Sequence, residues 1–152
     1  YWIETRRDEL VALMKKLDII FVNESEARAL AGKRDIIQAA REIMDLGPKR
    51  VIIKRGENGS LLFSGSGAFI VPACPVEHPL DPTGAGDTFA GGVMGYISKR
   101  GSMEMPVLRR AIAYGGVMAS FAVGDFSLRS LGKINRSDIE KRFKEFEELT
   151  RF

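Results

Sequence analysis

Apolar positions along the chain recur with two different periods, and the alternation between them predicts an α/β layered sheet. Leu10, Val11, Leu13, Met14 and Leu17 fall at helical spacing between Asp8 and Leu17, which marks an amphipathic helix. The run Asp18-Ile-Ile-Phe-Val22 that follows is short and nearly continuously apolar, as a strand buried in a parallel sheet would be. Glu24 to Ala31 returns to a helical pattern, stopped by Gly32. Another helix is predicted over Asp35 to Leu46, with Ile36, Ala39, Ala40, Ile43 and Met44 inward and Gly47-Pro48 as its terminator. Arg50 to Lys54 reads as the next buried strand. Ser60 to Phe63 and Ala68 to Val71, joined by Ser64-Gly-Ser-Gly67, read as a β-hairpin. A polar, proline-punctuated stretch over 72–80 precedes helices from about Gly86 to Lys99 and from Pro106 to Phe121. A last helix is predicted from Ser137, where Ser137-Asp-Ile-Glu140 fits a capping box. With no internal repeat or low-complexity tract, one domain is the expectation.

Composition narrows the class without naming a chemistry. The 152 residues can bury one core, and 45% hydrophobic with 28% charged residues is ordinary for a globular protein. The net charge of +3 is slight, and the basic residues are dispersed apart from short pairs such as Lys15-Lys16 and Arg109-Arg110. They read as solvated faces, so no nucleic-acid partner is expected. Cys74 is the only cysteine, which rules out an internal disulfide and fits a reducing, cytoplasmic setting. Neither a signal peptide nor an apolar run of spanning length is visible, so no membrane partner is expected. The abrupt start at Tyr1-Trp2-Ile3, without an initiator Met, suggests a fragment.

The chemistry concentrates in Asp81-Pro-Thr-Gly-Ala-Gly-Asp87-Thr-Phe-Ala-Gly-Gly92. A glycine-rich turn meets a helix start there, where unpaired amides and the helix dipole favour phosphate oxygens. Gly84 and Gly86 permit close backbone approach to a ligand. Asp87 stands where a carboxylate could take a proton from a hydroxyl attacking a phosphoryl group. A tight turn with a helix cap fits the same residues. No Gly-x-x-x-x-Gly-Lys-Ser/Thr run exists, so a P-loop is excluded, and the third small residue of the dinucleotide fingerprint is missing. Gly91 and Gly92 read as sites of close helix packing. His78, alone and in a loop, reads as an exposed residue; Cys74 reads as inert. Met94, Met103, Met105 and Met118 read as core or rim packing.

Asp81 to Asp87 resembles the second signature of the ribokinase-like (PfkB) carbohydrate and nucleoside kinases, with Pro82 in place of the usual Thr. Asn23-Glu-Ser-Glu26 and Lys54-Arg-Gly-Glu-Asn-Gly59 match further family pieces in order. The resemblance covers essentially the whole chain as the C-terminal, nucleotide-binding and catalytic half of such a kinase. The N-terminal half, with most acceptor contacts and the lid, would lie outside it. It implies a partial ribokinase-like three-layer sandwich with a mostly parallel sheet flanked by helices.

By the same resemblance, the amides of Gly84, Ala85 and Gly86 form the anion hole and Asp87 is the catalytic base. Asn23 and Glu26 organise Mg²⁺ and the phosphates of ATP, largely through water, in keeping with the few carboxylates that Mg²⁺ needs. Asn23 and Glu26 also fit an Asn-x-x-Glu capping box, and the two roles can coexist. Lys54, Gly56 and Gly59 lie against the nucleotide, with Lys54 a point charge on the phosphates; a strand-end lysine facing water is the rival reading. Thr83 is placed at the nucleotide as well. Asp81, Thr83 and Ala122 correspond to donors for a monovalent cation such as K⁺. The segment Ala113 to Ser127 borders the adenine, where several relatives carry Asn or His near the position of Gly116.

The implied activity is ATP-dependent phosphorylation of a hydroxyl on a sugar, nucleoside or related small molecule. An isolated nucleotide-binding module without turnover is the alternative, and a structural α/β domain a third. Apolar surface left uncovered by a missing half predicts self-association, so a homo-oligomer is an open expectation.

Overall fold

Two short helices, α1 (Trp2–Thr5) and α2 (Arg7–Met14), lead into strand β1 (Ile19–Asn23) in the computed structural model, which describes residues 2–124 and 131–151. α1 carries only four residues, too few for a periodic signal, and the sequence pattern does not predict it. Helices α3 (Glu24–Ala31) and α4 (Ile36–Asp45) follow, then β2 (Arg50–Lys54). β1 and β2 pair in parallel, as a crossover through two helices permits. A single 3₁₀ turn, Gly56–Asn58, precedes β3 (Ser60–Ser64) and β4 (Gly67–Val71). Only Gly65 and Ser66 separate these two, so the hairpin link is shorter than the predicted four residues.

The sheet order is β1-β2-β3-β4, with β2 and β3 antiparallel. Among the described strands, parallel pairing is thus confined to β1 and β2, and the expected mostly parallel sheet is mixed. A tight link reverses the chain, and only the β1-to-β2 connection is long enough to avoid that.

Backbone contacts divide the chain into two units, Tyr1–Ile70 and Val71–Phe152. The first is built around Met14, Val22, Leu30, Ile43, Val51 and Ile53, with Ala27, Ala39 and Ala40 letting α3 and α4 approach the sheet. Each fully buried large aliphatic side chain contributes roughly 1.5–3 kcal/mol. Asp35 caps α4: its Oδ1 accepts from the amides of Ile37 at 3.0 Å and Gln38 at 2.8 Å. At the other end of α4, Gly47 turns at φ 142° directly against the backbone of Lys15.

The second unit holds α5 (Ala85–Arg100), α6 (Met105–Val123) and α7 (Arg136–Leu149). α5 and α6 cross closely, because Gly92 and Gly115 remove side chains from the contact. A Cβ on Gly92 would sit 3.0 Å from the Gly115 Cα, and one on Gly115 would sit 2.8 Å from the Phe89 carbonyl oxygen. Gly92 is therefore a packing glycine as predicted. Gly91 is not: a Cβ there would meet no heavy atom within 4 Å. Gly91→Ala is accordingly expected to stabilise the protein by about 0.5–1 kcal/mol through the unfolded chain's entropy. Gly115→Ala is expected to destabilise it, since overpacking of about 1–3 kcal/mol outweighs that gain. Urea unfolding of both variants checks the opposite signs.

α7 starts one residue earlier than predicted, and its cap differs. Asn135, not Ser137, is the N-cap: its Oδ1 accepts from the Ser137 and Asp138 amides, while Asp138 Oδ2 accepts from the Asn135 amide at 2.9 Å. Asn-x-x-Asp does the work assigned to Ser-x-x-Glu, because Asn135 is the residue with extended backbone. Tyr114 packs on Phe143 at 5.7 Å between ring centres, and Arg110 pairs with Glu147 at 2.8 Å. Met94 faces outward, 43% exposed, which corrects its assignment to packing; Met103, Met105 and Met118 are half-buried.

Candidate active site

Predicted site residues gather in two groups, one in each unit. In the first, the parallel register places Asn23 opposite Lys54, at the carboxyl ends of β1 and β2. Ligands of open α/β sheets bind at that edge. Asn23 is also the N-cap of α3. Its Oδ1 accepts from the Glu26 amide at 2.8 Å, and Glu26 Oε2 accepts from the Asn23 amide at 2.8 Å. Both halves of the predicted capping box are therefore made. Ser25 adds a third bond, its hydroxyl donating to Asn23 Oδ1 at 2.7 Å. The box holds the Asn23 and Glu26 side chains rigidly beside the strand end, with Glu26 Oε1 left over from it.

Beyond Lys54 the chain turns on Gly56 (φ 55°) and Gly59 (φ 80°), conformations that favour glycine. The Arg55 amide donates to the Gly59 carbonyl at 2.8 Å and closes the turn. Arg55 Nε donates to Glu24 Oε1 at 2.6 Å. No local sequence pattern predicts this pair. Its only signal is a cation directly after one strand and a carboxylate directly after its neighbour.

The second group begins at Leu80 and Asp81, whose amides both donate to the Val123 carbonyl, at 2.8 and 3.4 Å. Asp81 thereby lies at the end of α6, one residue from Ala122. Asp81 Oδ1 accepts from the Thr83 amide at 2.9 Å, an Asx turn. The Ala85 amide then donates to the Pro82 carbonyl at 3.1 Å, with Gly84 at φ 79°, ψ −5°. Those angles belong to the third position of a type II turn, where a side chain is disfavoured. Gly84 is therefore required by the turn, and it is also the N-cap of α5.

That turn revises the expected cradle in one respect. The Ala85 amide is committed to Pro82, whereas the Gly84 and Gly86 amides have no acceptor among the described residues. The next amide in the first helical turn, that of Asp87, has none either. The Asp87 carboxylate is exposed and makes no hydrogen bond or ion pair among the described residues. An aspartate serving as a cap would be tied to a backbone amide, as Asp35 is. Asp87 is not.

Helix α6 carries the expected adenine border from Ala113 to Val123; residues 125–127 of that segment lie outside the described residues. A Cβ on Gly116 would meet nothing within 4 Å, so the position is open. His78 is exposed, as expected. Cys74 is half-buried, and that burial pushes its thiol above the ordinary range, against the opposing pull of the Ser120 hydroxyl and Arg142. Its alkylation by iodoacetamide at neutral pH is expected to run slower than that of glutathione and to accelerate on denaturation, since the thiolate is the nucleophile.

Among the described residues no group of three or more His, Cys, Asp and Glu could hold a metal ion directly. Among the described residues, no helix is long and apolar enough to cross a membrane.

The chain is similar to several kinases. A cytidine kinase from Thermococcus kodakarensis is 42% identical over 101 residues, 65% of this chain and 36% of that protein. Among solved structures, aminoimidazole riboside kinase from Salmonella enterica, complexed with aminoimidazole riboside and an ATP analog, matches with a TM-score of 0.82 at 26% identity. That match covers 92% of this chain and 46% of the other. An E. coli structure in complex with ATP and Mg²⁺ matches with a TM-score of 0.76 at 28% identity, over 91% of this chain and 43% of that one. The chain thus spans less than half the length of each. Its fold is a partial ribokinase-like α/β fold, with a four-stranded mixed sheet flanked by helices. The profile of the pfkB family carbohydrate kinases matches residues 2–132, and the chain belongs to that family.

Proposed function

We propose that this protein is the nucleotide-binding and catalytic part of a kinase that transfers the γ-phosphoryl of ATP to a hydroxyl of a sugar, nucleoside or related small molecule. The observation that carries this is the exposed Asp87 carboxylate beside the Gly84 and Gly86 amides at the start of a 16-residue helix, none of them hydrogen-bonded among the described residues.

In this reading Asp87 accepts the proton of the acceptor hydroxyl as its oxygen attacks the γ-phosphorus in line. The Gly84 and Gly86 amides, with the positive end of α5, stabilise the charge on the migrating phosphoryl oxygens. The Asp87 amide lies in the same turn and joins them. Ala85, named with these glycines as the anion hole, contributes by shaping the turn while its amide stays on Pro82. Lys54 adds a point charge at the phosphates, beside Asn23 and the Gly56 to Gly59 turn. Bound Mg²⁺ would neutralise phosphate charge. Glu26 fits it through water, because Oε2 is already held by the Asn23 amide and a sparse carboxylate set suits a hydrated ion. K⁺ beside the hole would take oxygens from Asp81, Thr83 and the Ala122 region, which the Val123 carbonyl ties together.

The partial span of the relatives favours a second reading, a nucleotide-binding module that does not turn over alone. Calorimetry with a non-hydrolysable ATP analogue and Mg²⁺, run beside a phosphoryl-transfer assay on both the 152-residue chain and the full-length protein, separates the two. Turnover by the full-length protein supports the kinase. Binding without turnover by both supports the module instead. No binding by either refutes both. Light scattering on the same samples tests the homo-oligomer, which the exposed Ile70, Leu80 and Leu149 favour; a strictly monomeric sample contradicts it.

A further inference from the structure

The loop after β2 carries two adjacent cations that behave differently. Lys54 forms no ion pair among the described residues, whereas Arg55 is bound tightly to Glu24. We propose that Arg55 is a positioning residue: locked by Glu24, it holds Lys54 and the Gly56 to Gly59 turn in the conformation that meets the nucleotide's phosphates. The functional half of this proposal rests on the kinase reading above.

A turn with glycines at φ 55° and φ 80° has little intrinsic rigidity, because glycine loses the most conformational entropy on ordering. Two Arg55 bonds compensate. Its amide closes the turn on the Gly59 carbonyl, and its guanidinium anchors the turn to the start of α3. Glu24 is the first residue of α3 and directly follows Asn23, the register partner of Lys54. The ion pair therefore spans the same two strand ends as the backbone pairing of Asn23 with Lys54.

Glu24 is itself braced. Its Oε2 faces Arg28 at 3.7 Å, and Arg28 Nε donates to the Arg34 carbonyl at 2.9 Å. With side chains 31% and 29% exposed, Arg55 and Glu24 are partly shielded from water, so the contact is less screened than a surface pair. Glu24 also sits at a helix N-terminus, where a carboxylate is favoured. Because Glu24 neutralises Arg55, Lys54 is the cation of this loop left without an ion pair among the described residues.

The test is a double-mutant cycle of Glu24→Gln, Arg55→Gln and both together. Hydrogen exchange of the Asn58 and Gly59 amides is read in the 152-residue chain, and ATP kinetics in the full-length protein. Each single variant is expected to raise the exchange rates and the KM for ATP by about two- to fivefold, the range for a partly exposed ion pair. kcat stays unchanged, and the double variant is no worse than either single one. Unchanged exchange in the single variants overturns the positioning role. Additive losses of ATP affinity overturn it too, since Arg55 would then touch phosphate itself. If the full-length protein turns over no ATP, the kinase reading falls, and the exchange rates alone still decide whether the clamp orders the turn.

Discussion

Asp87→Asn is expected to lower the kcat for phosphoryl transfer by about 10²–10⁴-fold in the full-length protein, the usual contribution of a general base. Nucleotide affinity should barely move, because the amides of the turn are backbone and survive the substitution. Stability should barely move either. The carboxylate has no hydrogen bond or ion pair among the described residues, and its favourable position at the helix start is worth only about 0.3–1 kcal/mol. Asparagine keeps the shape and removes only the capacity to accept a proton. Steady-state kinetics with ATP and the acceptor varied in turn, beside a thermal melt, make the comparison. A variant that melts normally and still transfers phosphoryl at the parental rate removes Asp87 from the base role.

Gly47→Ala is expected to destabilise the protein by about 2–4 kcal/mol. Two independent costs act at that position. Its φ of 142° lies in a region that residues with a side chain rarely enter. The new Cβ would also fall 2.5 Å from the Lys15 Cα and 2.9 Å from the Met14 carbonyl oxygen. Those neighbours are backbone, so no rotamer change relieves the clash. Met14 is fully buried, and displacing the end of α2 would disturb the packing beneath it. Urea unfolding gives the number. Gly32→Ala is an informative comparison: its φ is 65° but a Cβ there meets nothing within 4 Å, so only the conformational cost remains. Equal losses at the two sites would show that the contact with Lys15 is unimportant.

The elements of the first unit were largely legible because their signals are local. Val51, Ile52 and Ile53 form a run too short for a helix and bounded by charged residues, and all three are fully buried. Gly32 and Gly47 stop α3 and α4 where the pattern says they should. Asp35 moved from helix to cap, and Asn135 replaced Ser137 as a cap, since several polar residues in a row compete and only backbone conformation chooses among them. Mixed sheet pairing was less legible, because periodicity reports burial and not strand direction. At the candidate site, the glycine turn and Asp87 were legible as a contiguous run. The commitment of the Ala85 amide to Pro82 was not, because it depends on the dihedral angles of Gly84. Neither was Arg55 with Glu24, since a bond across 31 positions has no local trace.

The alignment of Asn23 with Lys54 has a consequence for how this chain tolerates change in length. A strand ladder counts residues, so an insertion or deletion within Ile19–Asn23 or Arg50–Lys54 would slide Ile53 or Arg55 into place beside Asn23 and turn alternate side chains to the wrong face. Length variation, fusion tags and reporter peptides belong instead at Gly65-Ser66, an exposed bend whose growth leaves the β1–β2 alignment untouched.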